Sequence, residues 1–506
     1  MGWSQGRNDE FRDRDTSVDA TSLRLRVNLL GCAALAGYAA LTVLSWVQAP
    51  ALWRAENATN MLAFFDALAV RFPVLGLYHS FPSSEAVIAS YWAPLALATL
   101  PCILLVLLLA RSSTPADEAL GGLILNWSLA FAAMCLLAFP VFTQDMWLSA
   151  AWGRMISAGI NPYYQLFTPD TLVGLPLDHF PMVMSYGPLW GIVSAIVMVV
   201  AGNSALASGI LFKAVLAAAW IGSLALIDRI TRTRPARERC LAIAMFGWAP
   251  ASVSQSLAEG HNDIVLVALA LLWMLLLLRA HWAAPVALVA SALCKYVTAP
   301  LLLIDAIAAV RRDGAGWQQF LVRQIAPGLL GLGTLALFYR SPAFFDGIRV
   351  VSEWHFLRPS DALTAIEQVT GLPLLALRIA VIAFFVLHAA YWLAVSVWSP
   401  TMTILQKAVL ATMAAVLFSA VSHVWPWYAI WALAPATLVP GWWLSRFVFG
   451  VALVMPFTLA AWWSEPFPNH MELAALVVYA GACLWTVATG GSSTAQLTPD
   501  SRRGRR

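Results

Sequence analysis

Charge is what this sequence has least of. Only 11% of its 506 residues are Asp, Glu, Lys or Arg, while 60% are hydrophobic. Soluble domains average about a quarter charged residues, so a water-soluble fold is excluded and lipid must cover part of the surface. The net charge of +4 is too small to indicate a nucleic-acid partner. It reads as loop arginines that set membrane orientation. Cysteine is also scarce: Cys32, Cys102, Cys135, Cys240, Cys294 and Cys483 fall in or beside apolar runs, and none forms a CxxC pair. Small packed thiols are expected rather than disulfides or metal ligands. A cleavable signal peptide is not in view, because the first apolar run follows an Arg-bearing polar segment and is long enough to span.

What is present is a succession of apolar stretches of spanning length, since about 20 helical residues cross a hydrocarbon core of about 30 Å. Spans are expected near 27–47, 91–110, 121–141, 203–228, 240–257, 263–280, 284–298, 321–339, 371–397, 405–421, 428–444, 447–463 and 471–488, with a short limb at 299–310 returning to Arg311 and Arg312. The fold class is therefore all-α integral membrane, a polytopic bundle of about 14 transmembrane helices. Residues 1–26 and 490–506 read as disordered cytoplasmic tails, 27–120 as extra N-terminal spans with an outer loop, 121–440 as a core, and 441–489 as C-terminal spans.

The apolar run 187–201 decides the topology. If it crossed, Arg229, Arg232, Arg234, Arg237 and Arg239 would emerge on the outside, against the preference of arginine for the cytoplasmic face. It is therefore expected to be a juxtamembrane helix that dips without crossing. With that assignment the polar motifs share the outer face: Asp145 at the end of a span, Asn161-Pro162-Tyr163-Tyr164, Tyr186-Gly187-Pro188-Leu189, Glu259-Gly260-His261-Asn262-Asp263, Lys295, Arg358 and His423-Val424-Trp425-Pro426-Trp427-Tyr428. A transporter is expected to hold its ionisable groups near the midplane. Clustering at one interface favours a reaction site fed by a lipid-borne or outer-face substrate.

A carboxylate such as Asp145 can take the proton of an attacking hydroxyl, or it can simply begin a helix. Lys295 and Lys213 can neutralise a phosphate as point charges, although Lys213, deep in its span, could equally pair with a neighbouring helix. Arg358 and Arg378 are further candidates. His261 and Asp263 alone are too few for a metal site, and a sugar- or acceptor-binding cluster fits them better. Trp427 and Tyr428 either belong to the interfacial aromatic belt or stack on a sugar ring or prenyl chain.

Taken in order over roughly residues 120–435, these motifs resemble the family-C (GT-C fold) glycosyltransferases, and among them the bacterial polyprenyl-phosphomannose-dependent α-mannosyltransferases. The resemblance implies a catalytic acid in the first outer loop, which maps onto Asp145, and a juxtamembrane helix beginning at Tyr186-Gly187-Pro188. It implies donor-phosphate contacts by Lys295, with Lys213, Arg358 and His423 as helpers. Substrate contacts are implied at Tyr163, Tyr186, His261, Asn262, Asp263, Trp427 and Tyr428. The implied partners are a polyprenyl-phosphate sugar, a glycan or glycolipid acceptor and the bilayer. The implied reaction is an inverting hexosyl transfer, with mannose favoured, on the outer face of a bacterial plasma membrane and both termini cytoplasmic. No cofactor is implied, and a divalent metal is disfavoured because no second acid adjoins Asp145. A lipid-linked sugar flippase or other transporter, and an O-antigen-type ligase or polymerase, are the competing readings.

Overall fold

The computed structural model describes residues 5–55, 59–73, 76, 84–112, 116–177, 182–353, 359–420, 425–459 and 470–490, and among these there is helix and no strand. Helices close their own backbone hydrogen bonds, which is what a chain of this hydrophobicity requires in lipid. Among the described residues seven helices are long and apolar enough to cross a bilayer, and a bent pair, Ala236–Gly247 with Pro250–Ala258, makes an eighth at an angle of 54° if it is one span. Five shorter apolar helices accompany them. Length alone thus carries fewer than the expected 14 spans. Outward-facing side chains such as Leu329, Leu332 and Leu375 are about two-thirds exposed and apolar, as a lipid-facing surface would be.

The chain opens with α1 (Gln5–Ala55). The polar segment expected to be disordered is therefore helical from Gln5, and Arg24 pairs with Asp117 at the start of a later helix. No proline interrupts the chain before Pro50, so nothing stops the first span's helix from continuing back through it. α2 (Thr59–Ala69) is short, α3 (Ser84–Arg111) packs along α1, and α4 (Glu118–Leu136) packs on α1 in turn. α5 (Asp145–Ser157) and α6 (Pro188–Ala201) run parallel with a constant offset of 41 residues: Asp145 meets Tyr186, and Ser149 accepts from Trp190 at 3.0 Å. α6 ends at Gly202 (φ +61) and α7 (Ala205–Thr231) begins at once, its N-terminus capped by Ser204. The run 187–201 is thus a separate 14-residue helix, about 21 Å long and short of a full crossing.

α8 (Ala236–Gly247), α9 (Asp263–Leu278) and α10 (Ala284–Cys294) follow, with α9 packed against α7 and α10. After α10 the backbone is extended at Lys295, and the chain turns back, because Asp305 receives a bond from Trp273 and Arg312 reaches the carbonyl of Leu277. The expected short returning limb is present. α11 (Ile325–Phe338), α12 (Asp346–Glu353), α13 (Leu374–Trp398), α14 (Met402–Ala415), α15 (Ala429–Thr437), α16 (Trp443–Val454) and α17 (His470–Gly490) complete the described chain.

Arginine-bearing ends meet one another. Arg237 bonds the carbonyls ending α3, Arg234 bonds Gln406 on α14 at 2.6 Å, and Arg311 bonds Val397 near the end of α13 at 2.9 Å. The motif-bearing ends gather separately, at the start of α5, the start of α9, the end of α10 and the start of α15. All six cysteines are free thiols, with Cys32 and Cys483 exposed and the other four buried.

Candidate functional site: a carboxylate and an ammonium at converging helix ends

Asp145 is the first residue of α5, where the helix dipole favours a negative charge. Its amide donates to Thr143 Oγ1 at 3.1 Å. One oxygen, Oδ2, accepts from the Tyr186 hydroxyl at 2.8 Å and lies 3.0 Å from His261 Nδ1. Facing a carboxylate oxygen, Nδ1 carries a proton and donates it to Oδ2. His261 is fully buried, and its Nε2 has no partner among the described residues. Its ring lies flat on Trp427 at 3.6 Å and 16°, and Trp427 lies on Trp425 at 4.7 Å.

Burial pushes the Asp145 carboxyl up. The His261 hydrogen bond and charge, the Tyr186 hydroxyl and the Lys295 charge more than offset this and hold it below the usual carboxylate range. Tyr186 moves the other way, first through burial and then through the charges of Asp145 and Asp263, so it remains a phenol and a donor. The Asp145 side chain keeps 22% of its surface exposed. Among the described residues Oδ1 has no donor, so this oxygen is the one open to an incoming group.

The second half of the site is an ion pair. Lys295 Nζ donates to Asp263 Oδ1 at 2.7 Å, and the same oxygen accepts from Trp431 Nε1 at 2.6 Å. The ammonium sits among three aromatic faces, 4.5 Å from the Tyr428 ring centre, 5.1 Å from Trp431 and 5.3 Å from Tyr186. The extended backbone at Lys295 turns this side chain out of the helical path of α10. Gly187 brings α6 against the end of α10: its amide donates to Cys294 O at 2.9 Å, and a Cβ there would lie 2.0 Å from Leu293 O. Asp263 Oδ2 and Asn262 Oδ1 are buried without a partner among the described residues. Asp145 and His261 offer two metal ligands, one fewer than the smallest protein set that ordinarily holds zinc.

Asp145, Tyr186, His261, Asp263, Lys295, Trp427 and Tyr428 thus converge, with Asn262 beside them. Two of the expected residues lie apart from this cluster. Tyr163, expected at the substrate, lies one layer behind: it is buried, stacks on Phe344 at 4.1 Å and donates to the backbone carbonyl of Tyr186 at 2.9 Å. Lys213, expected at a phosphate, directs its ammonium at four backbone carbonyls, including Ala138 at 2.5 Å and Leu257 at 2.8 Å. A helix that stops at Leu136 leaves carbonyls that need such a donor. Arg358 and His423 lie outside the described residues. One contributor was not singled out from sequence. Trp431 sits one helical turn after Tyr428, a spacing that could have revealed it. Glu259 accepts from the amides of Val141 (3.1 Å) and Phe142 (3.0 Å), and nothing in its motif signals that partner.

Along α5, about 16 Å from Asp145 by helical rise, a cavity of about 880 Å³ opens between the ends of α5, α6 and α11. Its walls include Ile156, Ile192, Ile196 and Leu337, and its polar groups include Ser157, Asn161, Gln165 and Arg340.

Residues 65–312 match the family model described as alpha-(1->6)-mannopyranosyltransferase, N-terminal domain. The match bears out the resemblance to membrane mannosyltransferases and supports mannosyl transfer as the activity. It begins inside the stretch read above as extra N-terminal spans and takes in α3. No curated protein and no solved structure matches the chain.

Proposed function

We propose, for a chain whose residues 65–312 match a mannosyltransferase domain, that it transfers a mannosyl group from a polyprenyl-phosphate donor to a hydroxyl of a glycan or glycolipid at the outer face of a bacterial plasma membrane. Asp145 is the proton acceptor. The observation that carries this reading is a carboxylate with one oxygen bound by Tyr186 and His261 and the other open, beside a lysine held in an aromatic box. The cavity along α6, walled mostly by aliphatic side chains with Arg340 and Asn161 among them, supports an amphiphilic, lipid-borne substrate.

In the proposed step the acceptor hydroxyl approaches Oδ1. Its oxygen bonds the anomeric carbon while the bond from that carbon to the phosphate oxygen breaks. The electron pair leaves with the phosphate and the proton passes to Asp145, giving inversion at the anomeric centre. The depressed carboxyl pKa keeps Asp145 ionised and ready to accept, and general-base assistance of this kind contributes about 10²–10⁴ in rate. Lys295 stabilises the charge that grows on the leaving phosphate. Trp427, stacked with His261 and Trp425, and Tyr428, stacked with Trp431, form the aromatic wall beside these groups.

The test uses purified protein, polyprenyl-phosphate mannose and a mannoside acceptor, with release of polyprenyl phosphate and extension of the acceptor both measured. Asp145→Asn is expected to lose at least 100-fold in kcat, within the range general-base catalysis supplies. A variant that transfers as fast as the parent removes Asp145 from this role. Translocation of the donor without release of polyprenyl phosphate would make the protein a transporter instead.

A further inference from the structure

The segment 137–144, between α4 and α5, is non-helical backbone that ends one residue before Asp145. Such backbone persists beside a lipid bundle only when its polar groups find protein partners. Here Lys213 on α7 and the facing segment 257–261 hold it in three successive steps. At the first, Lys213 Nζ lies between the two segments, bonding Ala138 O at 2.5 Å on one and Leu257 O at 2.8 Å on the other, with Cys135 O and Ala258 O at 3.4 and 3.3 Å. At the second, Glu259 Oε2 accepts from both Val141 N and Phe142 N. At the third, His261 Nδ1 meets Asp145 Oδ2. Gly260, at φ +80, lets Glu259 and His261 reach different parts of the connector.

The first two steps involve no group of the site itself. Glu259 is buried and Lys213 half-buried, and the polar contacts of both are with main-chain atoms of this connector, its neighbouring helix end and the 257–261 segment. Side chains of α1 hold the same connector as well: Trp46 bonds Leu137 O and Ser45 accepts from Phe139 N, while Thr42 bonds Met134 O in the last turn of α4.

We propose that Lys213 and Glu259 are positioning residues that fix the place of the Asp145 carboxylate by tying the 137–144 connector to the 257–261 segment. The inference rests on the reading of Asp145 as the proton acceptor. Neither residue touches substrate. Both act through where they put Asp145, so losing them lowers kcat far more than it raises KM.

The experiment compares Glu259→Leu and Lys213→Met with the conservative variants Glu259→Gln, which keeps a carbonyl acceptor, and Lys213→Arg, which keeps donors and charge. Two readings are taken on the full-length protein in detergent: amide hydrogen exchange of the peptide 138–148, and steady-state transfer. Expected are exchange at least tenfold faster in that peptide with α13 and α14 still protected, kcat reduced about 100-fold with KM for the donor within about threefold, and partial recovery of both in the conservative variants. Unchanged exchange overturns the proposal. So does faster exchange with unchanged kcat, or a loss expressed only in KM. Where a leucine or methionine variant fails to fold, Glu259→Gln and Lys213→Arg carry the same two readings, and their exchange and kcat must move together. Asp145→Asn, run alongside, separates the two ideas: if it transfers like the parent, the base assignment falls, and the connector's exchange alone judges the brace.

Discussion

Replacing Gly187 with alanine tests whether the start of α6 is set by contact with the end of α10. The added Cβ would lie 2.0 Å from Leu293 O and 2.5 Å from Leu293 C, both backbone atoms that cannot rotate away. Restoring an ordinary separation of about 3.5 Å requires the two segments to part by about 1.5 Å. That movement breaks the 2.9 Å bond from Gly187 N to Cys294 O and carries Tyr186 with it. The 2.8 Å bond from Tyr186 to Asp145 then stretches to about 4 Å, outside hydrogen-bond range. Overpacking of this kind costs about 1–3 kcal/mol of stability, and a catalytic group misplaced by about 1 Å can lose about 100-fold in rate. Gly187→Ala is expected to lower the melting temperature in detergent and to reduce mannosyl transfer about 100-fold. Tyr186→Phe, which removes the hydroxyl without moving backbone, is expected to keep most of the stability. If Gly187→Ala matches the parent in both melting temperature and transfer, the close approach of α6 and α10 does not set the site, and the reasoning fails.

Two further outcomes follow from the hydrogen bonds. His261→Ala removes the strongest influence opposing burial at Asp145, so the carboxyl pKa rises. Because the carboxylate must be ionised to accept a proton, the acid limb of the kcat/KM profile should move to higher pH, and an unmoved limb would exclude this coupling. Asp263→Asn and Lys295→Met each strand a buried charged partner, at about 3–5 kcal/mol apiece. The double variant should be destabilised by clearly less than the sum, as a double-mutant cycle of unfolding measurements would reveal, whereas additivity would mean the pair is not coupled.

The charge pattern made much of this architecture legible. Five arginines at 229–239 required 187–201 to be something other than a span, and the structure has a separate 14-residue helix there. The convergence of Asp145, His261, Asp263 and Lys295 was legible for the same reason, since each follows or precedes an apolar run on the same side. Lys213 was not. Sequence locates a lysine deep in a helix but does not reveal that α4 ends early enough to leave carbonyls within its reach. The layer that Tyr163 occupies was not legible either, because a motif does not say which of two stacked layers a tyrosine joins. The helical N-terminus was missed because polarity was read as disorder, although Arg24 had Asp117 to meet.

The proposed transfer moves charge without creating any. The donor phosphodiester carries one negative charge and leaves as a monoester with up to two, while Asp145 goes from one to none as it takes the acceptor proton. Negative charge therefore shifts from the start of α5 toward the leaving group. An interaction accelerates the step only if it is stronger after that shift than before it. At the outset the Lys295 charge already serves Asp145 and Asp263. As Asp145 becomes neutral, its claim on that field lapses, and the leaving phosphate takes it over. Asp263 keeps the ammonium in place throughout, with Trp431 sharing the same oxygen and three aromatic rings fixing its position. The pairing of Lys295 with Asp263, which at first sight weakens it as a phosphate ligand, is what allows the ammonium to be held ready at the point where charge arrives.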